Sequence, residues 1–150
     1  MANWRRAWWP GGTWFFTVNL LERRNNRLLV EQIDLLRHSV AKVQQAHPFA
    51  IHAWVVLPDH LHCILSLPEG ERGIWQRHYW EHLIRDEQDY RRHMDYVHIN
   101  PLKHGHVTRV ADWPYSTFHR YVTSGIYPQD WCGSVNGGIG VDLSMLFLSE

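Results

Sequence analysis

Residues 49 to 67, FAIHAWVVLPDHLHCILSL, constrain the fold more than any other stretch. Two runs of aromatic, β-branched and aliphatic residues flank Pro58 and Asp59, a pair with turn chemistry between segments of strand composition. The pattern predicts a hairpin of strands 49–57 and 60–67. A hairpin alone is too small to be stable and must be covered. The rest of the chain supplies the cover. After a PGG turn signal, Trp14 to Leu21 (WFFTVNLL) predicts an earlier strand. Leu29, Ile33, Leu36, Val40 and Val43 recur at helical spacing, which predicts one amphipathic helix over 28–47, ending before Pro48. Beyond PEGERG, the aromatic run IWQRHYWEHLI predicts a fourth strand. Asp86 then caps a second helix, with acidic residues in its first turn, which Pro101 ends. The sequence after Gly105 is aromatic and turn-rich and is expected to wrap the domain.

With 150 residues there is material for one core, and 1–131 reads as one domain followed by a divergent tail, 132–150. Fifteen basic and fifteen acidic residues leave no net charge, so any grip on nucleic acid must be local rather than through bulk electrostatics. Cys63 and Cys132 form neither a zinc spacing nor a disulfide framework, which fits a reducing cytoplasm. No segment reaches membrane-spanning length and the N-terminus lacks a signal-peptide core, so a soluble, cytoplasmic protein without a membrane partner is expected.

In a strand, residues two apart share a face, so His60 and His62 point together while Leu61, Cys63, Leu65 and Leu67 point the other way. Paired imidazoles can chelate a divalent ion but need further ligands from elsewhere. By spacing alone, surface or hydrogen-bonded histidines explain the pair as well, since the chain has twelve. Tyr96 and Asn100, four apart on the second helix, present a phenol and an amide on one face beside an apolar stripe of Tyr90, Met94 and Val97. A phenol can attack a phosphodiester, and an amide oxygen can complete a metal site. The plain alternative is a packed tyrosine and an asparagine capping its helix.

LPDHLHCIL and WQRHYWEHLIRDEQDYRRHMDYVHINPLKHGHV together resemble the REP-associated tyrosine transposases, a branch of the IS200-like single-tyrosine HUH transposases. The likeness extends through GTWFFTVNLLERR and WPYSTFHRYVTSGIYPQDW, roughly residues 5 to 131. It implies an α+β fold: a ferredoxin-like βαββ(α)β sheet followed by a tyrosine-bearing helix. It also implies an enzyme that cuts and rejoins single-stranded, hairpin-forming, REP-like DNA through a 5′-phosphotyrosine. The resemblance makes Tyr96 the nucleophile and His60, His62 and Asn100 the ligands of Mg²⁺ or Mn²⁺. Candidate DNA contacts are Arg5 and Arg6 in WRRAWW, together with Arg91, Arg92, Lys103, His104 and Arg109 around the tyrosine helix, because cations interleaved with rings hold single strands.

One departure stands out. Family members carry a helical, often basic segment between the HUH strand and the fourth strand, where this chain has only PEGERG. Six residues make a short parallel crossover, so the second crossover helix is expected to be missing. The fourth strand then folds back on the third, is exchanged within a homodimer, or leaves a sheet face bare; the chain is expected to be a monomer or a strand-exchanged dimer. Two alternatives to the transferase remain: an inactive relative that only binds hairpin DNA, and a histidine-rich metal hydrolase of small phosphoesters.

Overall fold

The computed structural model describes residues 12–68 and 79–133, with Tyr79 and Trp80 described by backbone alone. Four strands form one sheet: β1 (Thr13–Asn19), β2 (Ala50–Val56), β3 (His60–Ser66) and β4 (Tyr79–Leu83). Their order is β2-β3-β1-β4 and every neighbouring pair is antiparallel. The expected hairpin is β2–β3, closed where Leu57 N–H donates to the His60 carbonyl at 2.8 Å.

Because β3 and β4 both run antiparallel to β1, they are parallel to each other on its two sides, the ferredoxin-like arrangement. The expectation that β4 might fold back onto β3 is therefore wrong: Trp14 to Val18 of β1 pair with β4 of the same chain. The reason is length. Twelve residues lie between Ser66 and Tyr79, and the part of the expected strand at 74–78 falls outside the described residues. A dozen extended residues reach ~40 Å, enough to cross over one strand. No exchange between chains is required to complete the sheet.

The first helical segment is interrupted. Residues Leu28–Glu31 form α1 and Ile33–Ala46 form α2, with Gln32 leaving helical geometry between them (φ −108°, ψ 31°). α3 (Glu87–Lys103) starts as expected, Asp86 Oδ1 accepting from Asp89 N–H at 2.8 Å. Pro101 does not end it. A proline costs most in mid-helix, where it removes a bond and crowds the preceding turn. Here it sits in the last turn, and His104 N–H still donates to the Asn100 carbonyl at 3.0 Å. A short 3₁₀ turn (Val110–Asp112) and α4 (Phe118–Thr123) follow, where only wrapping sequence was expected.

Both faces of the sheet are packed, so β3 is buried at all seven positions. Phe16, Leu61, Cys63 and Leu65 face Leu29, Ile33 and Leu36 of α1 and α2. On the opposite face Phe15, Ala53, Val55 and Ile64 meet Tyr90, Met94, Tyr96 and Val97 of α3. His60 and His62 lie on this second face, which is a core rather than an open surface. Trp113 joins it as a buried core residue, its indole N–H donating to the Val56 carbonyl at 2.9 Å.

Candidate active site

β3 alternation turns His60 and His62 toward α3, and helical spacing turns Tyr96 and Asn100 toward β3. Their meeting depends on how α3 is rotated about its own axis. Three polar ties fix that rotation. Tyr90 Oη lies 2.9 Å from His52 Nδ1 of β2. His98 Nε2 lies 2.8 Å from Thr117 Oγ1, and its Nδ1 lies 3.2 Å from Tyr127 Oη. Asp89 hydrogen-bonds His82 of β4 at 2.8 Å. Phe15 supplies the packing floor, its ring 5.7 Å from both His62 and Tyr96.

Within that frame the rings of His60, His62 and Tyr96 come together, and Asn100 lies one helical turn beyond Tyr96. The His62 ring is 5.0 Å from His60 and 5.2 Å from Tyr96, both edge to face. Tyr96 is 3% exposed, and His62 and Asn100 are fully buried. All four belong to the same chain.

The hydrogen bonds around them settle which atoms face the site. His60 Nδ1 is 2.7 Å from Asp59 Oδ1. A carboxylate only accepts, so this bond, shorter than the 3.3 Å contact between Arg23 Nη2 and the same nitrogen, favours the proton on Nδ1 and the lone pair on Nε2, the tautomer that binds metals. Burial works to raise the Asp59 pKa, but the hydrogen bonds and charges of His60 and Arg23 outweigh it and hold the group below the usual carboxylate range. Arg23 Nε in turn donates to Asp59 Oδ2 at 2.9 Å. His62 Nδ1 is 2.8 Å from Thr17 Oγ1, its direct cross-strand partner on β1, which directs Nε2 to the other side of the ring. The Asn100 amide nitrogen donates to the Tyr96 carbonyl at 2.7 Å, and only that orientation is chemically sensible. Its Oδ1 is thereby turned inward.

His60 Nε2 and Asn100 Oδ1 are buried and make no hydrogen bond among the described residues. Leaving a buried polar atom unsatisfied costs about 1–3 kcal/mol, so two such acceptors in the core call for a ligand. Two imidazole nitrogens and a neutral amide oxygen, all electron-pair donors, suit a divalent cation. Asn100 is not the helix cap that the plain reading supposes.

A second cluster, His82, Asp89 and His93, brings its donor atoms within 4.8 Å of one another. Its two rings stack at 4.6 Å and 15°, so their edges run alongside rather than toward one point, and Asp89 already bonds both. Those bonds account for it as a clamp between β4 and the start of α3.

The expected DNA contacts divide. Lys103 Nζ lies 5.2 Å from the Tyr96 ring centroid, and the His104 ring lies 5.2 Å from His60, so both reach the site. Arg91 is paired with Glu87 at 3.3 Å. Arg92 and Arg109 are exposed, without a hydrogen bond or ion pair to the site residues. Arg5, Arg6 and most of the tail lie outside the described residues. Asp59 and Thr17, which orient the two histidines, were not anticipated. Asp59 is adjacent to His60 in sequence and could have been; Thr17 depends on strand register, which has no local signal.

No family model matches the chain. It is 50% identical to a REP-associated tyrosine transposase of Escherichia coli (strain K12) over 155 aligned positions, covering 90% of this chain and 93% of the relative. Since 90% of 150 residues is about 135, roughly twenty of those positions have no residue here. Identity to a putative REP-associated tyrosine transposase of Haemophilus influenzae (strain ATCC 51907 / DSM 11121 / KW20 / Rd) is 38%, over 89% of this chain and 95% of the relative. Among solved structures, that of a REP-associated tyrosine transposase bound to a REP hairpin superposes with a TM-score of 0.77 at 48% identity, covering 93% of this chain and 97% of the other.

Proposed function

The chain belongs to the REP-associated tyrosine transposases, and from that premise we propose that it cuts and rejoins single-stranded DNA beside a REP-like hairpin, using Tyr96 as nucleophile and a divalent metal. One observation carries the reading: His60 Nε2 and Asn100 Oδ1 are buried without a hydrogen bond among the described residues, and the His62 ring, beside that of His60, packs on the ring of the candidate nucleophile. The related structure holds a REP hairpin, which supports the same class of DNA as substrate here.

His60, His62 and Asn100 would hold Mg²⁺ or Mn²⁺, which when bound draws charge from the phosphate oxygens that otherwise repel a nucleophile. Tyr96 Oη attacks the phosphorus, forming a 5′-phosphotyrosine. The bond to the 3′-oxygen breaks in line; the phenolic proton goes to solvent, and the 3′-oxygen takes one up. A phenol has an ordinary pKa near ~10 and is a far better leaving group than an alcohol, so a free 3′-hydroxyl can reverse the step and join a strand. Phe15 and His62 keep the Tyr96 ring from swinging, which shortens the search for the attack geometry. One protomer contains the whole set.

The roughly twenty missing positions favour a second reading, in which the chain binds hairpin DNA without turnover. A single titration separates the two. With a fluorescent hairpin oligonucleotide, wild type should form a denaturation-resistant adduct that requires Mn²⁺ or Mg²⁺, and Asn100→Ala should lose the adduct while retaining hairpin binding. Binding without adduct in wild type at any metal concentration would select the second reading. Turnover of a small phosphoester that survives Tyr96→Phe would instead indicate a hydrolase.

A further inference from the structure

The end of α3 fixes where its last side chains leave the helix. Gly105 takes φ 73°, a left-handed backbone that glycine adopts without strain. Its N–H donates to the Leu102 carbonyl at 3.1 Å and the His106 N–H to the Pro101 carbonyl at 2.9 Å, the paired bonds that close a helix on its own last turn. Lys103 is thereby held in the helix. It stands close to two full turns beyond Tyr96, ~10 Å along the axis, so both side chains leave the same face. Helical side chains lean toward the N-terminus, which carries the lysine stem back over the turn that holds Asn100. Lys103 is half-buried, and its Nζ lies over the Tyr96 ring at 5.2 Å from the centroid.

A cation on an aromatic face is an ordinary packing contact; what matters here is which ring receives it. Phe15 and His62 pack on the same ring at 5.7 and 5.2 Å, one apolar and the other, as a metal ligand, neutral. Tyr96 is 3% exposed, so water screens a nearby charge weakly. Its oxygen carries negative charge in both directions of the reaction. It releases its proton to solvent as the bond to phosphorus forms and the bond to the 3′-oxygen breaks, and it departs as phenolate when a 3′-hydroxyl rejoins the strand. We propose that Lys103 is a positioning residue for that charge: acting through Tyr96, its ammonium lowers the barrier to cutting and to rejoining alike. That role rests on the reading of Tyr96 as the nucleophile.

The geometry sets the size of the effect. An ammonium above the ring at that distance stands about 6 Å from the phenol oxygen, and with an effective dielectric of ~20–40 its attraction for a full negative charge corresponds to roughly 10–100-fold in rate. Substrate and adduct each carry one phosphodiester charge, so Lys103 favours neither of them. Cutting and rejoining therefore slow by one common factor when the charge is removed, and the balance between DNA and adduct stays where it was. A lysine that merely gripped a phosphate would behave differently, weakening the hairpin complex and losing its effect at saturating DNA.

Lys103→Met keeps the stem and removes the charge. With saturating hairpin oligonucleotide and Mn²⁺, its adduct should form roughly 10–100-fold more slowly than that of wild type, and a 3′-hydroxyl strand should discharge the adduct more slowly by the same factor. Hairpin affinity and the final adduct fraction should not change. Lys103→Arg, which keeps a cation, should recover most of the rate, and added propylammonium should restore part of it in Lys103→Ala, with thermal melting confirming that each variant is folded. Rates within twofold of wild type in Lys103→Met, a loss that vanishes at saturating hairpin, or recovery by neither Lys103→Arg nor propylammonium would overturn the proposal. Failure of the underlying reading looks different: wild type itself would then form no adduct on Tyr96, and the role of Lys103 would fall with it.

Discussion

Replacing Asp59 by asparagine probes how the site is built without touching a ligand atom. The carboxylate does two things in the structure. It accepts from His60 Nδ1 at 2.7 Å, fixing the tautomer that leaves Nε2 available, and it adds a negative charge behind the ring. Across an imidazole that charge acts at ~7 Å; with an effective dielectric of ~20–40, Coulomb attraction for one unit of positive charge is roughly 1–2 kcal/mol. An asparagine offers the same shape but no charge, and its amide can turn to donate to Nδ1, which favours the tautomer with Nε2 blocked. Both effects weaken a bound cation, and losses of ~10–100-fold are typical when a carboxylate behind a histidine ligand is removed. Isothermal titration of Mn²⁺ into wild type and Asp59→Asn should show such a loss, with thermal melting confirming that the variant is folded. An affinity within twofold of wild type, while His60→Ala abolishes binding, would refute the idea that Asp59 sets the ligand.

Other consequences concern the ties that rotate α3 into place. Burial keeps the His98 imidazole neutral and lowers its pKa to about 3, whereas an unfolded chain protonates it near ~6.5. The unfolded state thus binds more protons between those values, stability falls as pH drops from about 6.5 toward 3, and His98→Gln should flatten that part of a urea-denaturation profile; an unchanged slope would contradict it. Asp95 has the opposite sign. Burial raises its pKa to about 6 despite the hydrogen bond from Tyr127 and the charge of Arg91, so the folded state binds more protons between about 4 and 6, and stability is lost as pH rises through that window. Asp95→Asn should accordingly be more stable than wild type at pH 8, by ~1–3 kcal/mol, with no advantage at pH 3. Asp86→Ala removes the α3 cap and should cost about 1 kcal/mol in chemical denaturation, with no change in the Mn²⁺ affinity of the folded protein.

Much of this architecture is readable from local pattern. The β2–β3 hairpin follows from two apolar runs around Pro58-Asp59, and the face shared by His60 and His62 follows from strand alternation. The stacking of Tyr96 over Asn100 follows from helical spacing. What escapes local reading is what depends on neighbours distant in sequence. The break at Gln32 interrupts an apolar periodicity that runs through it unbroken, and α4 is short enough that its place beside β2 decides it rather than its propensity: Thr117 N–H donates to the Trp54 carbonyl at 2.9 Å. Thr17 was invisible for a different reason. It opposes His62 only in one register, which the whole sheet selects.

The central claim is that the Tyr96 phenol is the group that becomes joined to DNA, within reach of the His60 and His62 pair of its own chain. Its most direct test is to incubate the protein with Mn²⁺ and a hairpin oligonucleotide, digest the covalent product with trypsin and nuclease, and locate the modified residue by mass spectrometry. The account predicts a nucleotide attached to Tyr96 and no adduct from Tyr96→Phe. An adduct on another residue, or one that persists in Tyr96→Phe, would contradict it.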